Sequence, residues 1–267
     1  MPRLLTAIVA AGSSLVACEF ADAAGASPVY SWTGAYAGGN VGFGLGESDS
    51  TAAVTGLGVG RFAFTRSDPL TLFGVLGGGQ IGYNWQVSPK WVAGLEADWQ
   101  GSSERASQSY SDAYSGSGGL LGVVATGTGN ANYDASVPWF GTVRGRVGYA
   151  LDRLLIYGTG GLAYGEVRLG GTSMDSGSTL GVFFPPAPPT PYSVSAPFST
   201  SRVNVGWTLG AGVEGPLMEH WTRKAEYLYV DLGSLNLSAA SAPIAVNVHA
   251  NFTDNIVRAG LNYKFGN

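Results

Sequence analysis

Alternation interrupted at two different spacings constrains this chain more than any single residue does. Runs of about ten residues, in which apolar side chains alternate with small or polar ones, are joined by short and long connections in turn. Residues 72–87 and 91–100 are separated only by Ser88-Pro89-Lys90, and residues 139–151 and 155–169 only by Asp152-Arg153-Leu154. Residues 202–216 and 221–232 are separated by residues 217–220. Between these hairpins lie residues 47–69, 101–136, 170–201 and 233–251, rich in Ser, Gly, Thr and Pro. Short turns at one end and long connections at the other are the pattern of a β-barrel that crosses a bacterial outer membrane.

Each run is long enough to cross a bilayer, which takes a tilted strand about nine to eleven residues. In the first, residues 33–45, Ala35, Ala37, Val41, Phe43 and Leu45 share one face, and Tyr36, Gly38, Asn40 and Gly42 the other. The second sets Phe73, Val75, Ile81, Tyr83, Trp85 and Val87 against Gln80, Asn84 and Gln86. The third sets Trp91, Ala93, Leu95, Ala97 and Trp99 against Glu96 and Asp98, and the fourth sets Trp139, Val143, Val147 and Tyr149 against Thr142, Arg144 and Arg146. The fifth, residues 155–169, carries too much Gly for its faces to be assigned. In the sixth, Val203, Val205, Trp207, Leu209, Ala211 and Val213 oppose Arg202, Asn204, Thr208 and Glu214. The seventh places Trp221, Ala225, Tyr227 and Tyr229 opposite Lys224 and Glu226. The eighth, residues 255–265, places Val257, Ala259, Leu261, Tyr263 and Phe265 opposite Arg258, Asn262 and Lys264. The fold expected is all-β: a closed antiparallel transmembrane barrel of about eight strands, with long extracellular loops and short periplasmic turns.

A soluble sandwich alternates as well, but would turn its apolar faces inward and its charges to water. Two features favour the membrane. Aromatics gather at the ends of the runs (Trp85, Trp91, Trp139, Tyr149, Trp221, Tyr263), as interfacial girdles do. The alternation of long and short connections has no explanation in a sandwich. The segment Gly42-Phe43-Gly44-Leu45-Gly46 lacks the following helix and βαβ setting that a nucleotide-binding loop requires. No apolar run reaches the ~18 residues of a membrane helix.

The first residues read as an export signal: Arg3, then an apolar stretch over 4–17, then the small-x-small site Ala21-Asp22-Ala23. This divides the chain into a signal peptide at 1–23, a short periplasmic lead at 24–32 and the barrel at 33–267. Leu15-Val16-Ala17-Cys18 also resembles a lipobox, in which Cys18 would be lipidated; otherwise Cys18, the single cysteine, leaves with the signal. Charged residues are only 12% of the chain and the net charge is −4, with no basic stripe, so no nucleic-acid partner is expected.

The residues facing away from lipid form the candidate site. They are Glu96, Asp98, Glu214 and Glu226, with Arg144, Arg146, Arg202, Lys224, Arg258 and Lys264. An eight-strand barrel is just wide enough for side chains to fill it, so these charges are expected to pair into a polar plug. The alternative is a narrow ion path tuned by the same charges. Hydrolysis at the rim would need a His beside a nucleophile and an acid. Only His220, next to Glu219, and His249, with Asp254 and several serines nearby, are available. Neither lies in a catalytic motif, so no catalytic, cofactor-binding or metal-binding residues are expected. The run Pro185 to Pro191 should form a stiff polyproline II rod, serving either as a passive spacer or as a recognition surface.

Three stretches resemble the small outer-membrane β-barrel family of alphaproteobacteria, the porin-like surface antigens with an opacity-protein-type barrel. They are SWTGAYAGGNVGFG at 31–44, KAEYLYVDLG at 224–233 and IVRAGLNYKF at 256–265. The resemblance spans the mature chain and implies an outer-membrane location. It also implies outer-membrane lipid, lipopolysaccharide and the barrel-assembly machinery as partners, and surface ligands met through the long loops. Family barrels end on the aromatic residue that the assembly machinery reads, whereas here Gly266 and Asn267 follow Phe265.

Overall fold

The structure, a computed structural model, describes residues 30–56, 62–118, 123–181, 188–241 and 244–266. The expected signal peptide and Cys18 lie outside the described residues. The described chain forms strands β1 (Gly34–Gly56), β2 (Phe62–Gln86), β3 (Trp91–Gly118), β4 (Val123–Leu151), β5 (Leu154–Gly181), β6 (Thr190–Pro216), β7 (Trp221–Ser241) and β8 (Ile244–Phe265). They pair antiparallel in sequence order, and β8 closes onto β1.

The three expected short turns are present. Trp91 N–H donates to the Ser88 carbonyl at 3.3 Å and to Ser88 Oγ at 3.1 Å, and Leu217 N–H donates to the Trp221 carbonyl at 2.7 Å. Between β4 and β5, Asp152 takes φ 51°, a left-handed value that Asp accepts more readily than most residues.

The wall is inside-out relative to a soluble protein. Val41, Phe43, Ile81, Leu95, Val147, Leu162, Val205 and Leu261 face outward, Val205 at 70% exposure. On the inner side Arg144 and Arg258 are each 1% exposed. Exposed apolar surface on every strand, wrapped around buried charge, suits lipid and would be costly in water. At the short-turn end Trp91 meets Tyr149 edge-on at 5.4 Å, and Trp221 meets Tyr263 at 5.3 Å, forming the inner girdle. The faces of β5, unassigned from the sequence, are now clear: Ile156 and Leu162 point out, Leu155, Tyr157 and Thr159 in.

The long loops expected at 47–69, 101–136, 170–201 and 233–251 prove to be mostly strand. Each strand runs on past the apolar band, and only the tips fall outside the described residues. Alternating Ser, Thr and Gly reads as loop by composition, yet it pairs well where both neighbours stay extended. The end of the proline run is also corrected: Pro191 lies in β6 opposite Ser178, and Pro185 lies outside the described residues.

Above the band the barrel parts along two seams. β2 pairs with β3 only as far out as Phe73 and Arg105, and β6 with β7 only as far as Trp207 and Asp231. The other six pairings continue outward, leaving two four-stranded sheets, β3-β4-β5-β6 and β7-β8-β1-β2. Their facing sides hold an apolar core that includes Tyr133, Val167 and Phe198 on one sheet and Leu72, Leu235 and Phe252 on the other. Register irregularities between Gly101 and Glu104, Ser136 and Trp139, and Asp231 and Gly233 fall where the ring gives way to the sheets. Bulges at a barrel rim bend strands in this way. At the second seam a Cβ on Gly206 would sit 1.8 Å from the Asp231 carbonyl, so only glycine lets β6 cross β7 here.

Candidate functional site

The inward positions of β3, β4, β7 and β8 bring charges of both signs to one level. Arg144 on β4 is the hub. Its Nη1 donates to Glu226 Oε1 at 3.0 Å and its Nη2 to Asp98 Oδ2 at 3.0 Å, with a further bond to Glu96. Arg258 on β8 donates through Nε to Glu226 Oε2 at 2.8 Å and through Nη2 to Asp98 Oδ2 at 2.8 Å. Lys224 Nζ lies 2.9 Å from both oxygens of Glu96. Nearer the short turns, Arg146 Nη2 donates to Glu214 Oε2 at 2.7 Å.

Tyrosines tie these pairs together. Tyr36 Oη donates to Glu96 Oε2 at 2.7 Å and accepts from Arg146 Nη1 at 3.1 Å. Tyr157 Oη donates to Glu226 Oε1 at 3.2 Å, while the Arg146 guanidinium lies 4.0 Å from the centre of the Tyr157 ring. A neutral chain of Asn40, Gln80 and Asn262 then reaches Glu214, which also accepts from Thr222 Oγ1 at 2.6 Å.

Four carboxylates (Glu96, Asp98, Glu214, Glu226) and four cations (Arg144, Arg146, Lys224, Arg258) therefore join into one formally neutral network. Eight of the ten charges expected in the lumen take part. Arg202 does not: it is exposed on β6 at the open seam, where the wall no longer encloses its inward side. Lys264 does not either; it is half-buried at the short-turn end and its Nζ donates to the Ser31 carbonyl.

One inward position further out, the network is covered by apolar side chains: Phe140, Leu228 and Ile256 are each at most 1% exposed. A cavity beside this layer, lined by Leu72, Glu104, Phe140, Val230, Phe252 and Asp254, measures about 10 Å³, room for roughly one water. Glu104 and Asp254, both buried, are missing from the expected lumen set: Glu104 falls in a stretch read as loop, and Asp254 falls just ahead of the eighth run, where the sequence places it only beside His249. Tyr157 escaped with the unassigned β5. The register across the tight turn carries the missing signal, since lipid-facing Tyr149 pairs with Ile156 and so turns Tyr157 inward.

Glycine makes room for the tyrosines. A Cβ on Gly82 would lie 2.4 Å from Tyr36 Oη, and one on Gly212 2.6 Å from Tyr157 Oη. Gly79, on the outer face, would meet nothing closer than 3.8 Å. Gly82→Val is expected to lower refolding stability by about 1–3 kcal/mol through overpacking, and Gly79→Val by much less. Urea titration of the two variants, followed by gel mobility, checks this.

The two histidines lie at opposite ends of the barrel. His220 sits at the β6–β7 turn with its ring 5.7 Å from that of Tyr263. His249 is exposed on β8, its Nδ1 2.6 Å from Asn236 Oδ1, whereas Asp254 is buried and faces the interior.

The family model for the outer membrane protein beta-barrel domain matches residues 8–265. The chain is 38% identical over 255 residues to the 31 kDa outer-membrane immunogenic protein of Brucella melitensis, covering 90% of this chain and 87% of that one. It is 28% identical over 247 residues to the 22 kDa outer membrane protein of Rhizobium leguminosarum, covering 92% of this chain and 83% of the relative. Among solved structures, Ail, the attachment invasion locus protein of Yersinia pestis, gives a TM-score of 0.31 at 10% identity, covering 86% of this chain and 99% of that one.

Proposed function

The chain belongs to the outer membrane protein beta-barrel family, and from that premise we propose that it is a closed wall element which displays two sheets to the medium for surface contacts. It is an outer-membrane protein with a surface-exposed part. The observation that carries the reading is the neutral charge network beneath an apolar layer, which fills the interior. Unpaired buried charge is costly, and within this network each cation is matched by a carboxylate, which leaves none of the eight groups free to draw an ion through.

The same reading makes the protein non-catalytic. Its membrane partners are lipid and lipopolysaccharide around the band, and the barrel-assembly machinery during insertion. Contacts with the medium fall to the outer sheets and their tips. The Brucella relative is named as immunogenic, and comparable exposure of this chain to antibodies is part of the proposal.

An epitope inserted between Gly181 and Pro188 tests the exposed part. The tag should be reachable on intact cells, with insertion and heat-modifiable gel migration unchanged. A tag reachable only after the outer membrane is broken would overturn the reading.

A further inference from the structure

The two seams leave four strand edges above the membrane, and these edges differ in kind. β2 carries Pro69, and β6 carries Pro191 and Pro197, each lacking an N–H to donate. The outer part of β3 (106–118) and of β7 (232–241) contains no proline, and 232–241 contains no charge. Proline and charge are the usual protections of an exposed edge. Each seam therefore has one lip that cannot pair fully and one that can.

The β7 lip shows which backbone groups are offered. Asn204 Nδ2, reaching from β6, donates to the Ser234 carbonyl at 3.2 Å, so this carbonyl faces the seam. In a strand the N–H and C=O of one residue point the same way and alternate along the chain. Asn236 and Ser238 thus face the seam as well, and Leu235 and Leu237 face β8, with which the register pairs them at Ala250 and Val248. Among the described residues no strand pairs with the seam side of 232–241. Beside it, Leu237 on β7 and Val194 on β6 are only partly buried against the core.

We infer that the β7 edge takes up an extended, uncharged peptide strand from the medium, which adds antiparallel to residues 232–241 in the place β6 vacates. Strand polarity argues against a second copy as the occupant. β3 and β7 both run outward from the short turns, and β2 and β6 run back. Copies embedded in one membrane could join their proline-free edges only in parallel, and antiparallel only through the proline-bearing edges. A free peptide has no such constraint. Main-chain bonds to the seam supply the affinity in such strand addition, and alternate side chains the selectivity. Inward side chains of the strand would cover Leu237 and Val194, and so should be apolar. Outward ones would join the polar row in which Asn236 meets His249 and Ser238 Oγ donates to Asn247 Oδ1 at 2.8 Å. The inference deepens the surface-contact reading and rests on it.

The test uses the full-length protein in lipid nanodiscs and a fluorescent peptide of about ten residues alternating Val and Thr, about 33 Å long when extended. Wild type should bind it saturably and should not bind its backbone N-methylated twin. Asn236→Pro removes a seam-facing N–H without breaking a β7–β8 bond, and should weaken binding about ten-fold or more. Asn236→Ala loses the same side chain but keeps the N–H, and should stay within about three-fold. Heat-modifiable migration shows that each variant is folded. The inference falls if no saturable binding is seen, if Asn236→Pro binds as wild type does, or if Asn236→Ala loses as much as Asn236→Pro. If the peptide fails to bind while the epitope after Gly181 remains accessible on cells, this inference falls alone and the surface-contact reading stands.

Discussion

Arg144→Glu should abolish refolding or cost about 3–5 kcal/mol, the range for breaking a buried ion pair from one side. Arg144 satisfies Glu96, Asp98 and Glu226 at once, with no side-chain exposure. Reversal leaves those three carboxylates facing a fourth where none of the side chains is more than 3% exposed. Asp49→Lys on the exposed outer face of β1 should change stability by less than about 0.5 kcal/mol. Urea titration of refolding in detergent, read by gel mobility, compares the two. Similar midpoints would mean that the inward charges do not hold the barrel together.

The second large effect is expected on the opposite side of the wall. Ile81 is 63% exposed, midway along the apolar band of β2. In lipid, Ile81→Arg should cost about 2–4 kcal/mol, the depth-dependent penalty for a cation near the bilayer midplane. Ser109→Arg, on the outer exposed part of β3, should cost almost nothing. In a soluble sandwich the Ile81 substitution would be neutral or would aid solubility. Refolding yield into lipid vesicles distinguishes the two.

These contrasts rest on facings that the sequence largely reveals, because a period of two admits only one way of placing Glu96, Asp98, Arg144 and Arg146 inside and Leu95, Trp99, Val143 and Val147 outside. The facing of β5 was hidden because Gly158, Gly160 and Gly161 carry no side chain to show it. Composition misled at 101–136 and 170–201: Ser, Thr and Gly there alternate in paired strands, and polarity alone does not separate a wetted strand from a loop. Arg202 has inward parity, yet lies above the point where β6 leaves β7, so parity places it correctly and burial does not follow. The seams themselves depend on long-range register, which local pattern does not encode. Pro191 and Pro197, with Gly206 where the strands cross, are their local trace.

The central claim is that paired charge closes the interior, and single-channel recording of the purified wild-type protein in planar bilayers tests it most directly. A quiet membrane, at protein levels where insertion is verified by heat-modifiable migration, is the result this account predicts. Stable, reproducible unitary steps from the folded barrel would contradict it and make the charge network the wall of a pore.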